Sequence, residues 1–351
     1  MRRLSTIVSL LTVATLTTAF SAPPTAAAAP GLSWQDLPTG STASLRGLSP
    51  VDRRVAWASG SGGEVLRTVD GGQTWQHVGP PGTADLQFRD IQAFDADRAV
   101  ILSIGEGEDS RVYRTVDGGA TWTETFRNHE ETAFYDCLAF FDHRHGLALS
   151  DPVGGKFRIL STDDGGASWS VLPDAGMPAA LAGEFAFAAS GTCIAAAAGV
   201  HAWFATGGGA TARVFHTGDR GLTWDVVDTG IPSGPSAGIY SLAFRDRIHG
   251  IAVGGDFAVP DAAPDGAATS RDGGRTWTTS ASVPGEYRSG VAWTKVPGVA
   301  IAVGPSGSDV TYDAGRTWHR FDETSLHGVQ CTADGACWAS GANGRVARLT
   351  F

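Results

Sequence analysis

The sequence is poor in lysine, cysteine and methionine, and its longest apolar run lies within the first 30 residues. Its 351 residues include two lysines, four cysteines and two methionines, with a net charge of -10. Few cysteines exclude a disulfide-dense scaffold, and the acidic balance argues against a non-specific grip on nucleic acid or anionic lipid. We therefore expect no nucleic-acid partner, and no segment of the chain that spans a membrane.

Glycine, in contrast, is abundant. The chain has 47 glycines, 42% hydrophobic residues and only 18% charged residues, without the Glu, Lys and Leu runs that favour helices. This composition argues against disorder and predicts many short strands joined by tight turns. The sequence is predicted to fold as an all-β protein.

The first residues have the pattern of a secretory signal peptide. Arg2 and Arg3 precede an apolar run at residues 7–16, and small residues follow at 26–28. We expect cleavage after Ala28, which makes residues 1–28 the signal peptide and residues 29–351 the secreted or periplasmic protein. The export route stays open.

One eight-residue motif occurs six times: Ser or Thr, any residue, Asp, any residue, Gly, any residue, Thr or Ser, and Trp. The copies read TVDGGQTW, TVDGGATW, TDDGGASW, TGDRGLTW, SRDGGRTW and TYDAGRTW, and they end at Trp75, Trp122, Trp169, Trp224, Trp277 and Trp318. Successive copies lie 47, 47, 55, 53 and 41 residues apart, a period typical of propeller blades.

The aspartate of each motif can accept backbone N–H bonds within a hairpin turn, and the following glycine can take a positive φ. These aspartates are Asp70, Asp117, Asp164, Asp219, Asp272 and Asp313. We expect the tryptophan to pack the turn onto its blade. The motifs resemble the BNR or Asp-box repeat, and this resemblance implies a folding element remote from any active site.

A second pattern of strand, polar turn and strand lies between the motifs. IQAFDADRAVILS, LAFFDHRHGLALS and LAFRDRIHGIAVG align without gaps, and related second strands are expected at 55–60, 193–199, 301–304 and 337–341. Counting them gives seven units, each a four-stranded meander of strands a to d. We predict a seven-bladed β-propeller over residues 29–351, in which the segment around Trp34 completes the blade formed by the C-terminus.

The connections of a meander alternate between two faces, so the a–b turns share one face with the motifs and the b–c loops share the other with the links between blades. The b–c loops are predicted to be long in units two to five, which favours that face for recognition. The candidate ligand-binding residues are Arg89, Asp90, Asp136, Lys156, Glu184, Arg213, Tyr240, Asp256, Tyr287 and Arg288; Arg46 and His327 start inner strands on the same face. A wet channel with paired charges is the alternative interpretation.

Several shorter patterns carry less weight. Residues 234–238 match G-x-S-x-G but lie in a link between blades, and His143 and His145 have no third partner for zinc. The glycines at 207–209 precede no helix, so a dinucleotide site is unsupported, and we expect no cofactor and no metal. Cys331 and Cys337 are predicted to form a disulfide, whereas Cys137 and Cys193 are expected to be buried thiols.

The unit count, the leader and phrases such as GEYRSGVAW resemble the photosystem II stability/assembly factor group of BNR propellers. This resemblance implies a binding or assembly scaffold, in which an arginine pair such as Arg89 and Arg288 would be similar to that group's basic patch. We therefore expect a monomeric binding propeller that takes a protein or glycan ligand on the face of blades two to five.

The alternative is a secreted glycoside hydrolase, because sialidases and several endoglucanases carry Asp boxes. Such a reaction needs two carboxylates. The candidates are Glu106, Asp136, Asp151, Glu184 and Asp256. Against it, the sequence has no Arg-Ile-Pro of the sialidase type and is too short for the two-propeller endoglucanase plan.

Overall fold

The chain forms seven four-stranded antiparallel sheets in the computed structural model, which describes residues 31–197 and 199–350. The predicted signal peptide lies outside the described residues. Blade seven begins with β1 (Ser33–Leu37). Blade one comprises β2 (Leu45–Pro50), β3 (Ala56–Gly60), β4 (Val65–Thr68) and β5 (Gln76–His77). Blade two comprises β6 (Gln87–Ala93), β7 (Ala99–Ile104), β8 (Arg111–Thr115) and β9 (Thr123–Arg127), with a short 3-10 helix, Gly107–Asp109, before β8.

The remaining blades follow in chain order. Blade three comprises β10 (Tyr135–Phe140), β11 (Gly146–Val153), β12 (Lys156–Thr162) and β13 (Ser170–Val171). Blade four comprises β14 (Ile194–Ala197), β15 (His201–Ala205), β16 (Arg213–Thr217) and β17 (Asp225–Asp228). Blade five comprises β18 (Ala237–Phe244), β19 (Gly250–Asp256), β20 (Ala267–Ser270) and β21 (Thr278–Thr279). Blade six comprises β22 (Gly290–Trp293), β23 (Ala300–Gly304), β24 (Gly307–Thr311) and β25 (His319–Asp322). Blade seven is completed by β26 (Gly328–Cys331), β27 (Cys337–Ser340) and β28 (Val346–Thr350).

The two ends of the chain close the ring. Strand β1 pairs with β28 in antiparallel register from Ser33 opposite Thr350 to Leu37 opposite Val346. The innermost strand of each blade contacts that of the next, and β26 contacts β2. The predicted seven-bladed propeller, with one blade shared by the N- and C-terminal strands, is confirmed. In the part of the chain that the structure describes, no helix has the length and hydropathy that a bilayer crossing requires.

The hydrophobic core is divided into interfaces between neighbouring blades. Each of seven buried clusters joins the facing surfaces of two adjacent blades, for example Leu45 and Leu66 of blade one with Trp338 of blade seven. Burial of apolar area between blades is the main favourable contribution to folding. The ring is therefore held together blade against blade.

The motif tryptophans belong to these interfaces. Trp122 of blade two packs edge-on against Trp57 of blade one with ring centroids 6.4 Å apart, and Trp75 packs in the same way against Trp338 at 6.3 Å. Each motif tryptophan thus contacts the preceding blade, in addition to the turn we expected it to hold. Blade seven has no motif, and there Trp34 of β1 fills the interface with blade six and donates a hydrogen bond to Ser308 at 2.9 Å.

The six motifs form the same turn. In the first, Asp70 accepts bonds from the backbone N–H and the hydroxyl of Thr74 at 3.0 and 2.6 Å, and the N–H of Gly71 donates to the a–b turn. Gly72 has a φ of +84°, and a Cβ there would lie 2.6 Å from Leu37, so glycine is required twice over. The aspartates therefore hold turns, on the face opposite the b–c loops.

Blade four differs from the sequence-based expectation. Residues 193–199 were expected to be its second strand, but β14 is its innermost strand and β15 is the second. Cys193 consequently lies level with Cys137 of β10, and the two form a disulfide with Cα atoms 6.2 Å apart. The expectation of two buried thiols was wrong, because it rested on that shifted strand. Cys331 and Cys337 form a second disulfide across the β26–β27 hairpin.

Candidate ligand-binding site

A segment of blade four crosses the central channel. We call residues 185–192, which lie before β14, the channel plug. The plug bonds to five other blades, through Arg46 to Ala189 O at 2.9 Å, Arg89 to Ala188 O at 3.0 Å, Ala186 N to Asp151 at 2.8 Å, Thr192 to the Ser241 hydroxyl at 2.6 Å and Ser190 to Ser289 O at 2.6 Å. Because these bonds come from around the ring, the plug is fixed at the channel axis.

Two features hold the C-terminal end of the plug. The Cys137–Cys193 disulfide ties the residue after the plug to blade three. Gly191 has a φ of +72°, and a Cβ there would lie 2.4 Å from the Asp90 carboxylate, so no other residue fits without displacement. The plug therefore divides the channel into two cavities.

The cavity on the b–c loop side, which we call the upper pocket, has a volume of about 720 Å³. The smaller lower cavity, of about 290 Å³, is lined mainly by the innermost strands and by Asp90. The upper pocket draws residues from all seven blades, and not only from blades two to five. Its polar and aromatic lining comprises Arg46, Arg89, Phe134, Asp136, Asp151, Phe185, Phe187, Tyr240, Phe257, Tyr287, Ser289 and His327.

Four of these side chains come from β-bulges at the same level of the ring. The register of the innermost strand with its neighbour shifts at Arg46, Arg89, Asp136 and Tyr240, in blades one, two, three and five. A bulge inserts an unpaired residue and re-aims its side chain. The repeated bulge therefore presents a different side chain to the pocket from each blade.

Arg46 and Arg89 form the cationic side of the pocket. Each donates one nitrogen to a plug carbonyl, and Arg89 also donates to Gln87 at 3.1 Å. Neither takes part in any ion pair among the described residues. Burial and the charge of Arg46 lower the pKa of Arg89 to about 10. An anion bound here would offset both of these unfavourable effects on the charged guanidinium.

Asp136 and Asp151 form the acidic side. Asp136 is 1% exposed, and its Oδ2 atom has no hydrogen-bond partner. Burial, and repulsion by Asp151, raise the pKa of Asp136 well above its usual range. Burial raises the pKa of Asp151 to about 7, opposed by the bond from Ala186 N. Near neutral pH the two aspartates therefore retain at least one proton between them.

Aromatic rings line the wall between the two charged sides. Phe187 of the plug stacks on Tyr240 with ring centroids 3.8 Å apart, and Tyr240 meets Tyr287 edge-on at 4.6 Å. His327 completes the cationic side, but burial, followed by the charges of Arg46 and Arg89, lowers its pKa to about 3. At neutral pH it is therefore an uncharged hydrogen-bonding group.

Other predicted site residues lie outside the upper pocket. Glu184 and Arg213 form a buried ion pair, with Arg213 Nε 2.8 Å from Oε1, and Arg288 is fully buried and paired with Asp309. Asp90 accepts bonds from Ile91 N and Leu138 N, and burial raises its pKa to about 8.

Lys156, Asp256 and Glu106 are also outside. Lys156 donates to Asp174 O at 2.8 Å, Asp256 accepts from Ala258 N at 2.8 Å, and Glu106 is exposed. Of the five candidate carboxylates, only Asp136 and Asp151 are brought together. The charged residues predicted along the face thus divide into those that line the upper pocket and those that are paired, bonded to the backbone or exposed elsewhere.

Sequence reasoning missed the plug and its aromatic rings. Phe185 and Phe187 lie in the alternating stretch FAFAAS, which resembles a strand more than a channel-crossing segment. The spacing of Cys137 and Cys193 offered a signal, since their separation of 56 residues is close to the 55 residues between the motifs of blades three and four and puts them level in adjacent blades. Placing the two cysteines level with each other would have identified residues 172–193 as an insertion between blades three and four.

The buried aspartates predict how stability depends on pH. Asp90, Asp136 and Asp151 bind protons more tightly in the folded than in the unfolded protein, so the stability that they contribute is present below about pH 4 and is lost as pH rises towards 8. His327, whose pKa is lowered on folding, has the opposite effect below about pH 6.5. We expect the melting temperature to fall by roughly 5 °C between pH 6.5 and pH 8, and by about half as much in Asp151→Asn. Thermal unfolding followed by circular dichroism measures this, with Glu106→Gln as the matched control. A melting temperature that rises over this range would contradict the assigned shifts.

No protein-family model matches the chain, and no curated protein sequence matches it. Solved structures do. YCF48 bound to D1 peptide is 16% identical, with a TM-score of 0.62 over 91% of this chain and 95% of that one. YCF48 from Cyanidioschyzon merolae is 15% identical, with a TM-score of 0.62 over 90% of this chain and 98% of that one.

A glycoside hydrolase is also similar. The GH74 enzyme of Niastella koreensis is 13% identical, with a TM-score of 0.61 over 89% of this chain but only 53% of its own. The chain thus spans about half the length of that enzyme. At these identities the likeness establishes a shared fold: the chain has the propeller architecture of YCF48 and of one part of the GH74 enzyme.

Proposed function

We propose that the protein is a binding propeller whose upper pocket holds the terminal carboxylate of a peptide on Arg46 and Arg89. The observation that carries the proposal is that two adjacent, half-buried arginines have no acidic partner among the described residues. A cation that is kept out of water costs free energy unless an anion pairs with it. Arginines on the surface of this protein do pair with carboxylates, whereas Arg46 and Arg89 do not. The planar guanidinium suits a carboxylate, because it can donate two parallel bonds.

The shape of the pocket supports a peptide rather than a small inorganic anion. Its volume of about 720 Å³ is in the range of sites for organic ligands, and Phe187, Tyr240 and Tyr287 supply apolar area beside the arginines. The plug closes the pocket below, so a chain would enter with its end first. The similarity in fold to YCF48, which is solved in complex with D1 peptide, agrees with this use of a propeller.

The repeated motifs support the wider family assignment. We infer that they are Asp boxes of the BNR type, because all six place the aspartate in the same turn contacts. On this inference the chain is a relative of the photosystem II assembly factor-like propellers, with a scaffold role. The inferred ligand surface is the upper pocket, with Arg46 taking the role that the sequence suggested for Arg288.

Removing the arginine pair should abolish carboxylate recognition. We expect the double variant Arg46→Gln/Arg89→Gln to lose about 100-fold in affinity for peptides with a free C-terminus, because two charge-assisted interactions disappear. The measurement is affinity selection from a library of N-acetylated tripeptides, each made as the acid and as the C-terminal amide, followed by calorimetry on the selected peptides.

Arg54→Gln/Arg247→Gln is the matched control, since both arginines are exposed, on the turns between β2 and β3 and between β18 and β19, and the double substitution removes the same two charges. The control should bind as the native protein does, and amides should bind weakly to all variants. Selection of acids and amides in equal numbers by the native protein would remove the carboxylate assignment.

A second candidate function, glycoside hydrolysis, is favoured by one observation. Asp136 and Asp151 are neighbouring carboxylates in an open pocket, and burial keeps the pKa of Asp151 at about 7, as a general acid requires. If the pair is catalytic, incubation with polysaccharides and sialosides should release product that Asp136→Asn and Asp151→Asn abolish and Asp256→Asn preserves. Absence of product over the whole panel would reject hydrolysis of these substrates.

We propose that the protein is exported after cleavage at Ala28. The leader pattern of residues 1–28 supports this, as do two disulfides, which persist in oxidising compartments. Expression of the full chain in a bacterial host should release a product whose first residue is Ala29. N-terminal sequencing measures this, and retention of Met1 on the accumulated protein would contradict export by cleavage.

A further inference from the structure

The acidic side of the upper pocket has no role in carboxylate binding. Asp136 is 1% exposed and its Oδ2 atom has no partner, although the side chain belongs to the pocket lining. Asp151 lines the same pocket, and only its Oδ1 atom has a bond, from Ala186 N. No ion pair among the described residues involves either aspartate. Two carboxyl groups, one of them with an unpartnered buried oxygen, therefore face space that a ligand can occupy.

We propose that Asp136 and Asp151 bind a primary ammonium group of the same peptide whose terminal carboxylate lies on Arg46 and Arg89. This inference rests on the proposed function, and it names the ligand class: a peptide end that carries a lysine side chain. An ammonium has three donors, so it can satisfy the unpartnered Oδ2 atom and bond to Asp151 at once. Neutral donors would leave the negative charge of the pair uncompensated.

The surroundings favour an alkylammonium over a metal ion. The described residues contain no group of three or more His, Cys, Asp or Glu side chains that could hold a metal, whereas calcium takes six to eight oxygen ligands. Phe134, Phe185 and Phe187 line the same pocket. Aromatic rings attract cations through their π-faces and pack well against the methylene groups of a lysine side chain.

The plug sets the separation between the two charged sides. Ala186 N bonds Asp151, while Ala188 O and Ala189 O accept from Arg89 and Arg46, so three residues of backbone lead from the acidic side to Arg89 and four lead to Arg46. Fully extended, three residues span at most about 10 Å and four at most about 14 Å. A lysine side chain together with one further residue of an extended peptide covers a gap of about the shorter length. The last two positions of a bound peptide can therefore place a lysine against the aspartates.

The test compares lysine with norleucine, which has nearly the same length and no charge. The probes are acetyl-Gly-Ala-Lys and acetyl-Gly-Lys-Ala as free acids, each with its norleucine counterpart, and binding is measured by calorimetry. In at least one of the two positions we expect lysine to bind about tenfold more tightly than norleucine to the native protein. In Asp136→Asn/Asp151→Asn the lysine and norleucine peptides should bind about equally, and the norleucine peptide should bind as well as it does to the native protein.

Control measurements separate this inference from the proposed function. The Glu106→Gln variant should keep the lysine advantage, because Glu106 is an exposed carboxylate outside the pocket. C-terminal amides report on the arginines alone. If acids bind better than amides but lysine and norleucine bind equally in both positions, the ammonium site is overturned and the carboxylate site stands. A rise in melting temperature with calcium chloride, lost in the double variant, would instead assign the aspartates to a metal and overturn the inference.

Discussion

Pairing of the first described strand with the last is the constraint on which the rest of the structure depends. Strand β1 adds the outer strand to a blade that otherwise has three, and it brings Trp34 to the interface between blades six and seven. Each of the other six interfaces contains a tryptophan from a repeated motif. Once the ring is closed, the innermost strands surround one axis, and the start of each strand has a fixed position around the channel.

The upper pocket arises from two departures from that symmetry. Bulges in blades one, two, three and five replace the regular strand start by an inward side chain, and the chemistry differs from blade to blade. Blade four contributes the plug instead, which converts a channel into a pocket with a floor. A regular ring would give seven equivalent positions, whereas the plug and the bulges give a cationic side from blades one and two, an acidic side from blade three and aromatic rings from the plug and blades five and six.

The repeated parts of the molecule could be predicted from the sequence, since six motifs with a constant pattern report six similar turns and a common blade length. The site was predictable only in part. Arg89, Asp136, Tyr240 and Tyr287 line the upper pocket, whereas Glu184, Arg213 and Arg288, which were predicted with them, form buried ion pairs instead. Composition cannot distinguish a paired from an unpaired charge, because pairing depends on contacts between strands far apart in sequence.

The central claim is that an unpaired arginine couple, held by the plug, receives an acidic ligand group in the upper pocket. A crystal structure of the protein with a selected C-terminal peptide tests this most directly. The account predicts the terminal carboxylate within hydrogen-bond distance of both Arg46 and Arg89, with residues 185–192 closing the channel beneath it. A peptide bound on the face of the aspartate turns, or an open channel with both arginines paired to carboxylates of the protein itself, would contradict it.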